Sequence, residues 1–133
     1  MSQKKIAIIT GASSGIGRLL AKGLCDRFPV EELWLIARSG DRLFAIGEEL
    51  PVPVRVLALD LTKAESIEKL KTELGKQQPD VRILINASGY GKFERFDRIA
   101  EEDAAGMVDL NCRALTLVMY AVLPYCHENS MIV

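Results

Sequence analysis

Histidine is almost missing from this chain: His127 is the only one in 133 residues. Together with Cys25, Cys112 and Cys126, none of which falls in a C-x-x-C spacing, one imidazole does not make a metal-ligand set, so no metal is expected and the adjacent Cys126 and His127 read as structural. An odd number of thiols also argues against a disulfide framework. All three sit in predicted helices or at helix ends and are expected to be reduced and mostly buried. Neither sign of charge is in excess. The 17 Lys and Arg residues against 18 Asp and Glu leave a net charge of −1, which removes the electrostatic case for nucleic acid or an anionic membrane as partner. No apolar run approaches the roughly 20 residues that cross a bilayer, and Met1 to Lys5 lead straight into a strand without a signal-peptide core. Internal repeats and low-complexity linkers are absent too. These absences leave one cytoplasmic globular domain as the expectation, long enough to bury about two thirds of its unfolded surface.

What the chain does have is glycine in a telling place. Thr10-Gly11-Ala12-Ser13-Ser14-Gly15-Ile16-Gly17 lies between the apolar run Ile6-Ala7-Ile8-Ile9 and a stretch in which Ile16, Leu19, Leu20, Gly23 and Leu24 recur at helical spacing. Strand, glycine turn and helix in that order form a phosphate cradle. One glycine can take positive φ, one lets a pyrophosphate approach the backbone, and one lets helix and strand pack closely. The unpaired N–H groups of the first helical turn then point at the phosphates, with Ser13 and Ser14 as further donors. A P-loop is excluded, because Arg18 and Leu19 follow Gly17 where Lys and Ser or Thr would be needed.

Further along, Leu33 to Ala37, Val54 to Leu59 and Val81 to Ile85 read as buried strands. A first helix ending near Phe28-Pro29, a second over about 41–50 with Leu43, Ile46 and Leu50 on one side, and a third alternate with them. The third is expected to be capped by Thr62 in the pattern Thr62-Lys63-Ala64-Glu65, to bury Ile67, Leu70 and Leu74, and to stop at Gly75. The longest helical stretch runs from Glu101 to about His127, either in one piece or broken in two near its start. Its stripes are Met107, Leu110, Ala114, Leu117, Val118, Ala121 and Val122 on one side, and Val108, Cys112, Leu115, Met119 and Leu123 on the other. Met131-Ile132-Val133 reads as the opening of a fifth strand, cut short. Alternation of apolar strands with helices predicts an α/β doubly wound parallel sheet in the order 3-2-1-4, with ligand across the carboxyl ends where the order reverses.

At this point the residues resemble a family. Thr10 to Gly17 matches the T-G-x-x-x-G-x-G motif of the short-chain dehydrogenase/reductases; Asp60-Leu61-Thr62 matches their acidic residue after the third strand; Asn86-Ala87-Ser88-Gly89 is similar to their N-A-G motif; and Asn111 falls where they keep a helix asparagine. The chain thus resembles the amino-terminal, Rossmann-type half of such an enzyme. The resemblance implies that Gly11, Ser13, Ser14, Gly15, Ile16 and Gly17 cradle the cofactor. It implies that Asp60 and Leu61 meet the adenine, that Asn86, Ala87, Ser88 and Gly89 lie along the ribose, and that Asn111 holds a proton-relay water through a helix kink. Ser88 departs from the commoner Asn-Ala-Gly spelling.

Arg38 carries the choice of cofactor. It lies 21 residues after Gly17, where a carboxylate would bind a ribose 2′-hydroxyl and a guanidinium a 2′-phosphate, so NADP(H) is expected over NAD(H). A surface pair with Asp41 is the competing reading. The resemblance further implies hydride transfer between nicotinamide and a carbonyl or alcohol, with acid/base work by a Y-x-x-x-K pair. No tyrosine here qualifies: Tyr90 is followed four on by Glu94, Tyr120 by Pro124 and Tyr125 by Asn129. The expectation is therefore a fragment that binds cofactor without turnover; a dinucleotide-binding or sensing module that never had chemistry is the alternative. A small carbonyl or alcohol is the expected substrate of the whole protein. Self-association through the helix over 107–123 is expected.

Overall fold

Strands that are apolar on both faces must be covered on both, and here five of them form one parallel sheet in the order β3-β2-β1-β4-β5. The computed structural model describes residues 2–133. The strands are β1 (Lys5–Thr10), β2 (Glu32–Ala37), β3 (Val54–Ala58), β4 (Asp80–Asn86) and β5 (Cys126–Ile132). Between them run α1 (Gly15–Leu24), α2 (Gly40–Glu48) and α3 (Ala64–Gln77), and before β5 come α4 (Glu101–Val108) and α5 (Leu115–Val122). A π-helical turn over Asp109–Ala114 joins α4 to α5, so Glu101–Tyr125 is one continuous helix.

The period of two along each strand divides the core into two layers. Ile6, Ile8, Trp34 and Ile36 face α3 and α5, where they meet Leu70, Leu74, Val118 and Val122; Ala7, Ile9, Leu33 and Leu35 face α1 and α2, where they meet Ala21, Leu24, Leu43 and Ile46. Val81 and Ile83 are two residues apart yet belong to opposite layers, because the register of β4 slips between them.

Several local expectations are corrected. The buried side of α1 consists of Gly17, Ala21 and Leu24, while Ile16 and Leu19 are 72% and 70% exposed. Small residues permit the closest approach to the sheet, so they take the inner face. That helix ends at Leu24, short of Phe28. Thr62 does not cap α3: the N-cap is Lys63 without a side-chain bond, and the Thr62 hydroxyl instead donates to Asp60 Oδ1 at 2.6 Å. Gly75 does not stop that helix, which runs to Gln77 and turns at Gln78 with φ 45°. Cys112 is exposed; Cys25 and Cys126 are half-buried, and burial raises the pKa of both thiols.

β5 begins at Cys126, not Met131. Its register jumps from Cys126 opposite Val81 to Met131 opposite Ile83, with Ser130 Oγ accepting from His127 N at 2.8 Å and donating to the Val81 carbonyl at 2.6 Å. The 25-residue helix Glu101–Tyr125 is by length and composition long and apolar enough to cross a bilayer, although no single apolar run is. Ala114, Val118, Ala121 and Val122 seat one side of it on the sheet, while Val108, Tyr120 and Leu123 are exposed.

Candidate functional site

All the loops that leave the carboxyl ends of β1, β2, β3 and β4 open onto one cleft of about 990 Å³. It lies over the point where the order reverses between β1 and β4, which is where an open parallel sheet binds ligand. Gly11, Ser13, Ser14, Gly15 and Ile16 come from the turn after β1; Arg38, Ser39 and Arg42 follow β2; Asp60, Leu61 and Thr62 follow β3; Ala87, Ser88, Gly89 and Tyr90 follow β4. Asp103, Gly106 and Leu110 close the far end.

The three glycines do three different things. Gly11 and Gly15 both adopt positive φ, 63° and 54°. A side chain on Gly11 would strike the Ala87 carbonyl, and one on Gly17 would strike the Gly11 carbonyl; Gly15 has nothing within 4 Å of the place its Cβ would take. The turn is therefore folded on itself beneath and bare above. Ser14, the N-cap of α1, makes no side-chain cap bond, which leaves its hydroxyl and the first-turn amides free at the cleft edge. That is a donor set for a diphosphate.

Thr10 holds the cradle to the neighbouring loop. Buried at the end of β1, its Oγ1 accepts from the backbone N–H groups of Ala87 at 3.1 Å and Ser88 at 3.2 Å. Sequence reasoning placed Thr10 in the motif without this role, since the partners are 77 and 78 residues away. At the other end of the cleft, Asp60 Oδ1 accepts from both the N–H and the hydroxyl of Thr62. The Thr62 hydroxyl lowers the Asp60 carboxyl below the usual range, with a smaller push in the same direction from the Arg38 guanidinium. Arg38 is exposed and makes no ion pair among the described residues, so the suggested pair with Asp41 does not form. Arg42, which the sequence reading left out, stands in the first turn of α2 and lines the same end, its N–H donating to the N-cap Ser39 Oγ at 3.4 Å.

Three expected site residues do not line the cleft. Gly17 is buried under the turn. Asn86 borders a small gap below Ser88, its Oδ1 buried without a protein partner. Asn111, on the π-helical turn, makes a reciprocal pair with the backbone of Tyr90: its Oδ1 accepts from the N–H at 2.9 Å and its Nδ2 donates to the carbonyl at 2.8 Å. It acts here as a positioning residue. Among the described residues Tyr90 is the one tyrosine on the cleft wall; its hydroxyl donates to the Asp103 carbonyl at 3.2 Å, and Lys92 is tied to the Asp103 carboxylate at 2.9 Å.

Fold and site together define a parallel α/β nucleotide-binding domain. Comparison with known proteins narrows the class: residues 5–133 match the family model described as short chain dehydrogenase, and the chain belongs to that family of oxidoreductases. It is 32% identical over 126 residues to the NADP-dependent 3-hydroxy acid dehydrogenase YdfG of Salmonella typhimurium, covering 94% of this chain and 50% of that protein. To the NAD-dependent glycerol dehydrogenase of Listeria innocua it is 31% identical over 114 residues, covering 86% and 44%. Among solved structures, the alcohol dehydrogenase of the archaeon Thermococcus sibiricus complexed with 5-hydroxy-NADP superposes with a TM-score of 0.82 at 36% identity, over 91% of this chain and 52% of that one. The chain spans about half the length of the relatives it matches.

Proposed function

We propose that these 133 residues hold NADP(H), and that the protein to which they belong moves a hydride between the nicotinamide and a small carbonyl or alcohol. The observation that carries this is the bare glycine turn at the start of α1 opening into the same cleft as Arg38, Arg42 and Asp60. The dinucleotide supplies the hydride chemistry when bound; the chain's own residues do the holding. First-turn amides of α1 with Ser13 and Ser14 take the diphosphate. Asp60 faces the adenosine end as an acceptor, and the Leu61, Ala87, Ser88 and Gly89 backbone follows the rings. Arg38 and Arg42 leave two guanidiniums at the adenosine end, a setting for a phosphate dianion and a poor one for a bare ribose diol.

Within residues 1–133 no tyrosine has a lysine four positions on, so this stretch binds and orients while lacking the proton donor that contributes about 10²- to 10⁴-fold in such reactions. A cytoplasmic protein without nucleic-acid or membrane partners, paired through the exposed side of the helix over 107–123, completes the reading. Calorimetric titration with NADP and NAD, on wild type and Arg38→Ala, tests it. A preference for NADP that disappears in the variant is the expected result; equal affinities throughout would defeat the choice of cofactor, and no binding at all would defeat the whole reading.

A further inference from the structure

Beyond the phosphate turn the cleft ends in a wall formed by Tyr90 and by Asp103, Gly106 and Leu110 of the long helix. The sheet order puts Arg38 and Asp60 on the β2 and β3 side, and Tyr90 on the β4 side against α4. Tyr90 stands on a loop of exposed residues, where an aromatic ring ordinarily changes rotamer within nanoseconds. Here it is held at two points, and a third contact shows how close it lies to α4. Asn111 takes both its backbone groups; its phenol donates to the Asp103 carbonyl; and a Cβ on Gly106, one helical turn beyond Asp103, would collide with the phenol oxygen. The glycine in the middle of α4 is otherwise unexplained, since glycine costs a helix about 1 kcal/mol relative to alanine.

We propose that Tyr90 is a positioning residue for the second nucleoside of the dinucleotide, the one beyond the diphosphate from Arg38, and that Gly106 is glycine because the phenol occupies the place of its side chain. The proposal rests on the nucleotide-binding reading above. Pinned against α4, the ring sets the width of that end of the cleft and presents a flat, part-exposed wall to whatever lies there. The adenosine end does not touch it.

Titration of the full chain with NADPH and with 2′,5′-ADP, which lacks the second nucleoside, separates the two ends. Gly106→Ala should weaken NADPH about tenfold and leave 2′,5′-ADP within about twofold, because the displaced ring intrudes on one end only. Alanine favours the helix, so the variant folds. Tyr90→Phe removes the colliding oxygen, and the double variant should regain most of the lost NADPH affinity. Equal weakening of both ligands by Gly106→Ala, no weakening, or no rescue in the double variant would each overturn the proposal. Failure of wild type to bind either ligand would instead overturn the nucleotide reading, and this inference with it.

Discussion

Gly17 and Gly11 touch: the space a methyl group would need on Gly17 is already taken by the Gly11 carbonyl. Because the obstacle is backbone on both sides, neither residue can turn aside, and Gly17→Ala should destabilise the chain by at least the roughly 1–3 kcal/mol typical of overpacking. Gly15→Ala meets nothing within 4 Å and carries only the strain of φ 54°, about 1 kcal/mol. Urea unfolding of the two variants should rank them in that order. The reverse ranking would mean that the turn is not folded against the start of α1.

Thr10 is the second point at which the cradle depends on contact rather than on glycine. Thr10→Val keeps the shape of the side chain and removes the acceptor, leaving the Ala87 and Ser88 amides without a partner. A loss of about 2–4 kcal/mol is expected from two stranded, part-buried donors. Thr10→Ser, which retains the oxygen, should lose less than half of that in the same denaturation experiment.

Asn111 reads differently because its bonds to Tyr90 are exposed to solvent, where water replaces a lost partner. Asn111→Ala should therefore cost only about 1 kcal/mol globally, while amide exchange at Tyr90 accelerates. Asn111→Asp keeps the acceptor for the Tyr90 N–H and loses the donor to its carbonyl. Its Tyr90 protection should fall between the other two, as measured by hydrogen exchange.

Much of this is legible in the sequence, and the reason is periodicity. Ile6 to Ile9 and Leu33 to Ala37 are apolar on both faces, which fixes a parallel sheet. The glycines framed by strand and helix then place the cleft at its carboxyl edge. What periodicity could not show was which stripe of α1 turns inward, since Gly17 and Ala21 win by size against the more apolar Ile16 and Leu19. Nor could a local pattern reveal that Thr62 serves Asp60 instead of its own helix, that Thr10 reaches the loop after β4, or that Tyr90 fills the space above Gly106. Those depend on loops that meet only after the sheet has formed.

Far from the cleft, the amino end of the sheet carries a charged cluster that should govern acid stability. Glu32, its side chain only 10% exposed, accepts from Trp34 Nε1 at 2.6 Å, Arg55 Nε at 3.2 Å and Lys4 Nζ at 3.2 Å; Arg55 also bonds Glu73 at 2.7 Å and lies over the Trp34 ring. Burial by itself would raise the Glu32 pKa, but the bonds from Trp34, Lys4 and Arg55 outweigh it and lower the value below the ordinary 4.5. The native chain thus takes up this proton at a lower pH than the unfolded chain does. Its contribution is fully present above the ordinary value and is lost as pH falls through the folded one. Glu32→Gln should accordingly be less stable than wild type near neutral pH, by about 1–3 kcal/mol for a charged, part-buried partner, and the gap should close as the pH falls from 4.5 through the lowered folded-state value. Thermal melts of both proteins across that range decide it: a gap independent of pH would show that the carboxylate acts by shape and packing alone.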